Sequence, residues 1–157
     1  DTSVVYCGSK KFTDPFGGSP LNAGKLVLSP TRTYAPLTQA IFEKLGRNCI
    51  KGMIHCSGGG QTKILHFADN VHVIKDNLME IPPLFQLIKE ESGTEWREMF
   101  QVFNMGHRLE IYTDASSASQ MIEIAKTFNI HAQVIGRTEA FEGKKLSITS
   151  PWGELVY

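Results

Sequence analysis

The 157-residue chain carries no excess charge of either sign, with sixteen lysines and arginines against sixteen aspartates and glutamates. A balanced chain has no global field to draw it to nucleic acid or to an anionic membrane, so an anion site has to be local. Cysteine is scarce: Cys7, Cys49 and Cys56 are too few and too irregular for a disulfide framework, and no Cys-x-x-Cys or Cys/His ligand spacing occurs. That argues against a disulfide-stapled or zinc-held module, assigns no metal, and fits a reducing cytoplasm. No segment approaches the run of about 18 apolar residues that a membrane span needs. His66, His72, His107 and His131 follow no metal-ligand spacing, and no Ser/His/Asp order suggests a hydrolase. There is no initiator Met and no apolar signal segment ahead of Asp1, so the chain reads as a piece of something longer.

What is present is ordinary globular composition, 41% hydrophobic and 20% charged, enough for one core without staples. Gly8 to Pro30 is crowded with Gly, Pro, Ser, Asn and Lys, including Gly17-Gly18-Ser19-Pro20, which is loop chemistry. The expected division is therefore a linker or amino-terminal arm over 1–27 and one domain over 28–157. The basic stretch Ser9-Lys10-Lys11 reads as solvated surface.

Beyond Thr33, Pro36 in a first turn, Leu37, Ile41 and Leu45 on one face and Gly46 as the stop predict a helix. Ile50 to His55 reads as a buried strand running into Gly58-Gly59-Gly60, with a helix beginning in Gln61 to Phe67. Val71 to Ile74 is a second strand, and Pro82-Pro83 opens a helix that Ser92-Gly93 ends. Thr94 is the expected cap of the next helix, whose Trp96, Met99, Phe100 and Phe103 recur at helical spacing as core. Arg108 to Tyr112 alternates as a half-buried strand, and Asp114 caps a helix with Ala118, Met121, Ile122, Ala125 and Phe128 inward. Ala132 to Ile135 is predicted as a strand, and Leu146 to Thr149 pairs with Leu155 to Tyr157 across the Ser150-Pro151-Trp152-Gly153 turn. The fold class expected is α+β, a mixed β-sheet packed against helices.

His55-Cys56-Ser57-Gly58-Gly59-Gly60 is the sharpest chemical signal. Three glycines without Cβ atoms let their N–H groups close on a phosphate, and a helix starting there adds unsatisfied donors. The order is neither that of a P-loop nor that of a dinucleotide fingerprint, so an anion site and a plain tight turn both stand open. His55 could orient a ligand, act as a base or satisfy a buried hydrogen bond. Asn104-Met105-Gly106 fits a ligand contact or a helix C-cap, and Arg32 a phosphate or a structural carboxylate.

In order, Leu28-Ser29-Pro30-Thr31-Arg32-Thr33-Tyr34, Gly52 to Gly60, Ile81-Pro82-Pro83-Leu84-Phe85 and Glu98 to Gly106 resemble the C-terminal half of the aminoimidazole ribonucleotide synthetase (phosphoribosylformylglycinamidine cyclo-ligase) family. The resemblance implies a PurM-like C-terminal domain and a reaction in which formylglycinamidine ribonucleotide and ATP give aminoimidazole ribonucleotide, ADP and phosphate. It implies phosphorylation of the amide oxygen, then closure of the imidazole ring by the amidine nitrogen with loss of phosphate. ATP and Mg²⁺ are expected mainly on an amino-terminal domain that lies outside this chain and mediates a homodimer, so the isolated chain is expected to be inactive. The family's pattern falls on His55 as orienting or catalytic residue, and on Thr31, Arg32, Ser57, Gly58, Gly59, Gly60, Asn104 and Gly106 as substrate or phosphate contacts. Two departures stand out. Gln61-Thr62-Lys63 replaces a stretch beginning Glu-Asn after the glycines, and His107-Arg108 replaces a small residue and a glycine. They keep open a non-catalytic ligand-binding relative, and a separate alternative is another member of the ATP-dependent superfamily that includes selenophosphate synthetase.

Overall fold

A computed structural model describes residues 8–17 and 19–157; Cys7, Gly18 and the first residues of the expected arm lie outside the described residues. Within the arm, Asn22 caps a five-residue helix, α1 (Ala23–Val27), its side chain accepting the Lys25 N–H at 2.9 Å. The Ser9 amide donates to the Glu91 carboxylate at 2.8 Å, so the arm folds back on the domain.

Helix α2 (Ala35–Leu45) has Pro36 in its first turn, buries Leu37 and Ile41, and stops at Gly46, whose φ of +77° suits a residue without a Cβ. Strand β1 (Ile50–His55) follows, as expected. The helix expected after the glycines is a 3₁₀ turn over Gly60–His66. Its tighter winding is set at the start, where the Thr62 amide and hydroxyl both donate to the Gly59 carbonyl, at 3.0 and 2.9 Å.

Strand β2 (Val71–Lys75) leads to α3 (Pro83–Ser92), terminated by Gly93 at φ +67°. Helix α4 (Trp96–Val102) starts after Glu95 rather than being capped by Thr94. The Thr94 hydroxyl is instead 2.7 Å from that of Ser92, so it serves the end of α3. Met99 and Phe100 are fully buried, whereas Trp96 is half-buried and stacks on Trp152 at 3.5 Å between ring centroids. Strand β3 (Leu109–Thr113) and α5 (Ala115–Thr127) follow. Asp114 precedes α5 without capping it, because its carboxylate pairs with Lys51 at 3.3 Å. Phe128 is 37% exposed, and Ile124 takes the inner position assigned to it.

The strand expected at 132–135 begins only at Gly136, as β4 (Gly136–Ala140). Residues 133–135 spend their polar groups elsewhere: the Asp76 and Asn77 amides donate to Ile135 O at 3.1 Å, and Asn77 Nδ2 to Val134 O at 2.7 Å. Strands β5 (Lys144–Ser150) and β6 (Gly153–Val156) form the expected terminal hairpin.

The strands form an antiparallel β1–β3 pair and a four-stranded sheet ordered β4-β2-β5-β6, in which β2 and β5 run parallel and the other neighbours antiparallel. The class is thus α+β with a mixed sheet. One core joins Ile54, Val73, Met99, Phe100, Leu146 and Ile148 beneath the glycine turn. A second joins Leu37 and Ile41 of α2 to Met121, Ile124 and Ala125 of α5.

Candidate functional site

The glycine turn follows β1 directly. The Cys56 amide donates to Arg108 O at 2.8 Å and ends the β1–β3 ladder; Gly58, Gly59 and Gly60 then adopt φ of +62°, +84° and +49°. No hydrogen bond among the described residues engages the Gly58 or Gly59 amide. His55 and Ser57 are exposed on the same turn, with His55 Nδ1 and Ser57 Oγ 2.9 Å apart, and the Tyr34 ring lies edge-on to His55 at 6.3 Å. Lys63 Nζ donates to Ser57 O at 2.6 Å and sets a cation beside the turn. Sequence reasoning treated Lys63 as a departure; its place becomes visible only once the 3₁₀ winding brings it back over Ser57.

Gly60 has a different task. A Cβ there would lie 2.8 Å from Phe100 O and closer still to Phe103 O, so the chain passes against the carboxyl end of α4. Beside it, Met105 and Gly106 turn the chain at φ +52° and +103°, and Asn104 Oδ1 accepts the Gly106 N–H at 2.9 Å. Asn104 is thus engaged in its own turn. Gly106 lies under Pro82, whose Cδ a Cβ would meet at 2.9 Å. The structure therefore joins Gly58–Gly60, Asn104–Gly106 and Pro82, three segments far apart in the chain. Thr31 and Arg32 are exposed; Arg32 Nη1 donates to Asn129 O at 3.3 Å, just past α5, and no recorded contact joins it to the glycines.

Behind the turn is a buried polar network. Lys75 Nζ donates to Gln61 O at 2.8 Å, to Gln61 Oε1 at 2.9 Å and to Glu110 Oε1. Tyr112 donates its hydroxyl proton to Glu110 Oε2 at 2.8 Å, and Gln61 Nε2 donates to Asn104 O. All three ammonium donors have acceptors, the condition for an ion pair to survive at 1% and 4% side-chain exposure. Gln61 thereby ties the glycine turn to the Asn104 turn. Burial, and Glu110 beside it, push the Cys56 thiol up to about 12, so this sulfur is an inert core atom at neutral pH. The same two causes, in the same order, raise the Tyr112 phenol well above its ordinary value.

His107 is 4% exposed, its Nε2 accepting the Met79 N–H at 2.9 Å while its Nδ1 has no partner among the described residues. Burial lowers its pKa from 6.5 to about 4, with Glu110 opposing and Lys75 adding to the fall. Because the unfolded ring binds its proton more readily, this stabilisation is complete above pH 6.5 and is lost as pH falls through 4, about 3 kcal/mol in all. Urea titrations at pH 7.5, 5.5 and 4.5 should show a steeper loss in the native protein than in His107→Gln, which keeps an acceptor for Met79 but does not titrate. Equal slopes would show that His107 titrates normally.

Among the described residues no group of three or more His, Cys, Asp or Glu side chains is placed to hold a metal ion, and no helix is long and apolar enough to cross a membrane. No family model matches the chain. It is 38% identical over 122 residues to the phosphoribosylformylglycinamidine cyclo-ligase of Methanocaldococcus jannaschii, covering 74% of this chain and 34% of that protein. It is 35% identical over 125 residues to the enzyme of the same name from Methanococcus vannielii, and 28% over 145 residues to that of Syntrophus aciditrophicus. Of solved structures, it is similar to Escherichia coli HypE, a hydrogenase maturation protein, with a TM-score of 0.53 at 17% identity over 76% of this chain and 36% of that one. That likeness shows a shared fold. The chain spans about a third of the length of the curated relatives it matches, and over that third it is a homologue of the phosphoribosylformylglycinamidine cyclo-ligases with the PurM-like α+β fold.

Proposed function

We propose that the chain is the substrate-side, C-terminal domain of an ATP-dependent cyclo-ligase that converts formylglycinamidine ribonucleotide to aminoimidazole ribonucleotide in purine biosynthesis. The observation that carries this reading is the cradle of Gly58 and Gly59, whose amides have no partner among the described residues, held against the Asn104 turn in a homologue of enzymes with that name. Two successive backbone amides without a partner among the described residues, with a lysine alongside, suit a phosphate oxyanion. Ser57 adds a hydroxyl, and His55 is held at the edge of the turn by Ser57 and Tyr34. Arg32 and Thr31 lie at the entrance to α2 and have the weaker claim on the substrate. Asn104 and Gly106 contribute by shaping the turn.

ATP and Mg²⁺ belong, in this reading, to an amino-terminal domain that closes the other side of the cleft and dimerises. That domain, a second subunit and the ribonucleotide are the proposed partners, in the cytoplasm, without nucleic acid or membrane. The 157-residue chain alone should release no ADP on addition of formylglycinamidine ribonucleotide; ribonucleotide-dependent release would overturn the division of labour. In the full-length protein, His55→Ala should lower turnover at least tenfold while shifting unfolding free energy by less than about 0.5 kcal/mol, because the ring is exposed. A large stability loss with unchanged turnover would make His55 a structural residue. Arg108, where the family has glycine, favours a second reading, a ligand-binding relative without catalysis. Turnover by the full-length protein at ordinary enzymatic rates would exclude it.

A further inference from the structure

A cavity of about 670 Å³ is bounded by β3, α2, α5, β2, β4 and the segment leading into β4. Its walls are largely aliphatic, with Leu37 and Ile41 from α2, Met121 and Ile122 from α5, Ile111 from β3 and Ile135 from the segment leading into β4. Protein interiors are packed to the density of organic crystals, and voids larger than a water molecule are few. A space of this size falls instead in the range of pockets that hold small organic molecules.

The charges on the wall are unequal in a way that selects a ligand. Four lysines or arginines line the cavity. Lys51 pairs with Asp114, Lys75 with Glu110, and Arg137 with Asp76 and Glu139. Arg108, half-buried, makes no hydrogen bond or ion pair through its guanidinium with any described residue. A cavity-lining guanidinium that lacks a carboxylate is free to take a planar anion through two parallel hydrogen bonds. The neighbouring residue, His107, also lines the cavity and is 4% exposed. Its Nε2 accepts the Met79 N–H, so the neutral ring carries its proton on Nδ1, a buried donor without an acceptor. Two adjacent residues on one wall are thus short of acceptors, while Lys51, Lys75 and Arg137 are already paired and the aliphatic side chains of α2 and α5 supply the apolar surface.

We propose that this cavity is a binding site for a small monocarboxylate with an apolar body, its carboxylate on Arg108 and its hydrocarbon portion among the side chains of α2 and α5. A single free guanidinium matches one planar anion better than a phosphate dianion, which would call for further donors. The site is separate from the glycine turn but adjoins it: Tyr34 lines the cavity and also packs edge-on to His55. The cavity and Arg108 carry the proposal whether or not the chain serves a cyclo-ligase.

Octanoate is the probe, with octanol as its uncharged counterpart and octyl phosphate as the dianion, each titrated by calorimetry and thermal unfolding. Octanoate should bind at one site and raise the melting temperature, with octanol and octyl phosphate each at least tenfold weaker. Arg108→Met, which keeps most of the side-chain volume, should weaken octanoate at least tenfold and leave octanol unchanged. Ala118→Phe, which fills the space from α5, should weaken both. Either variant suffices if the other fails to fold. Equal affinity for octanoate and octanol would identify a purely apolar slot, such as one filled by another polypeptide segment, and would overturn the proposal. So would tighter binding of octyl phosphate, unchanged octanoate affinity in Arg108→Met, or no binding of octanoate at all.

Discussion

Lys75→Met should lower the unfolding free energy by about 3 to 5 kcal/mol, the cost of removing one member of a buried ion pair. Met matches the lysine stem in length, so no large cavity opens and the loss is electrostatic. Glu110 Oε1 and both Gln61 acceptors lose their donor together, at 1% exposure for Gln61 and 6% for Glu110, where water cannot replace it. Adding Glu110→Met should recover much of the loss, since two apolar groups of similar volume leave fewer unpaired polar atoms. Tyr112 then loses the acceptor of its hydroxyl, which limits the recovery. Chemical denaturation of both variants checks this, and a loss below about 1 kcal/mol for Lys75→Met would mean that the ammonium is hydrated. The network joins β2, β3, the 3₁₀ turn and the Asn104 turn. Its loss should therefore loosen the candidate site even where the protein stays folded.

The main elements were legible because their signals are local. Pro36 and Gly46 bracket α2, Gly93 ends α3, and Ser150 to Gly153 turns the last hairpin, each through a backbone preference a single residue carries. The misplaced features depend on distant partners. Val134 and Ile135 have the β-branched composition of a strand, yet their carbonyls are taken by Asn77 and Asp76. Asp114 has the side chain of a cap, but Lys51 holds it. The same division runs through the site. His55, Ser57 and the glycines form a contiguous motif, and the resemblance named them. The Lys75–Glu110 pair joins residues 35 positions apart, neither of which looks unusual in sequence, and burial alone sets them apart. Arg108 stood out as a departure, but only the cavity gives its charge a use.

Gly60→Ala and Gly58→Ala should separate the structural glycine from the functional one. At Gly60 a Cβ collides with two backbone carbonyls, those of Phe100 and Phe103, and the φ of +49° is already unfavourable for alanine. Neither carbonyl can move without unwinding the end of α4, whose Met99 and Phe100 are fully buried. The expected loss is about 4 kcal/mol, at the upper end of what single substitutions do. At Gly58 nothing lies within 4 Å of the added Cβ, and only the φ of +62° is penalised, about 1 kcal/mol. Thermal unfolding of the two variants tests that difference, and equal losses would show that the approach to α4 is not as tight as the structure has it. The activity of the full-length protein should reverse the ranking per unit of stability lost. A methyl group at Gly58 narrows the open side of the turn, where a phosphate would meet the Gly58 and Gly59 amides, so Gly58→Ala should raise KM or lower kcat at least tenfold while still folding. Unchanged kinetics in a folded Gly58→Ala would remove the turn from the substrate site and leave Gly58 to Gly60 as a device for packing β1 against α4.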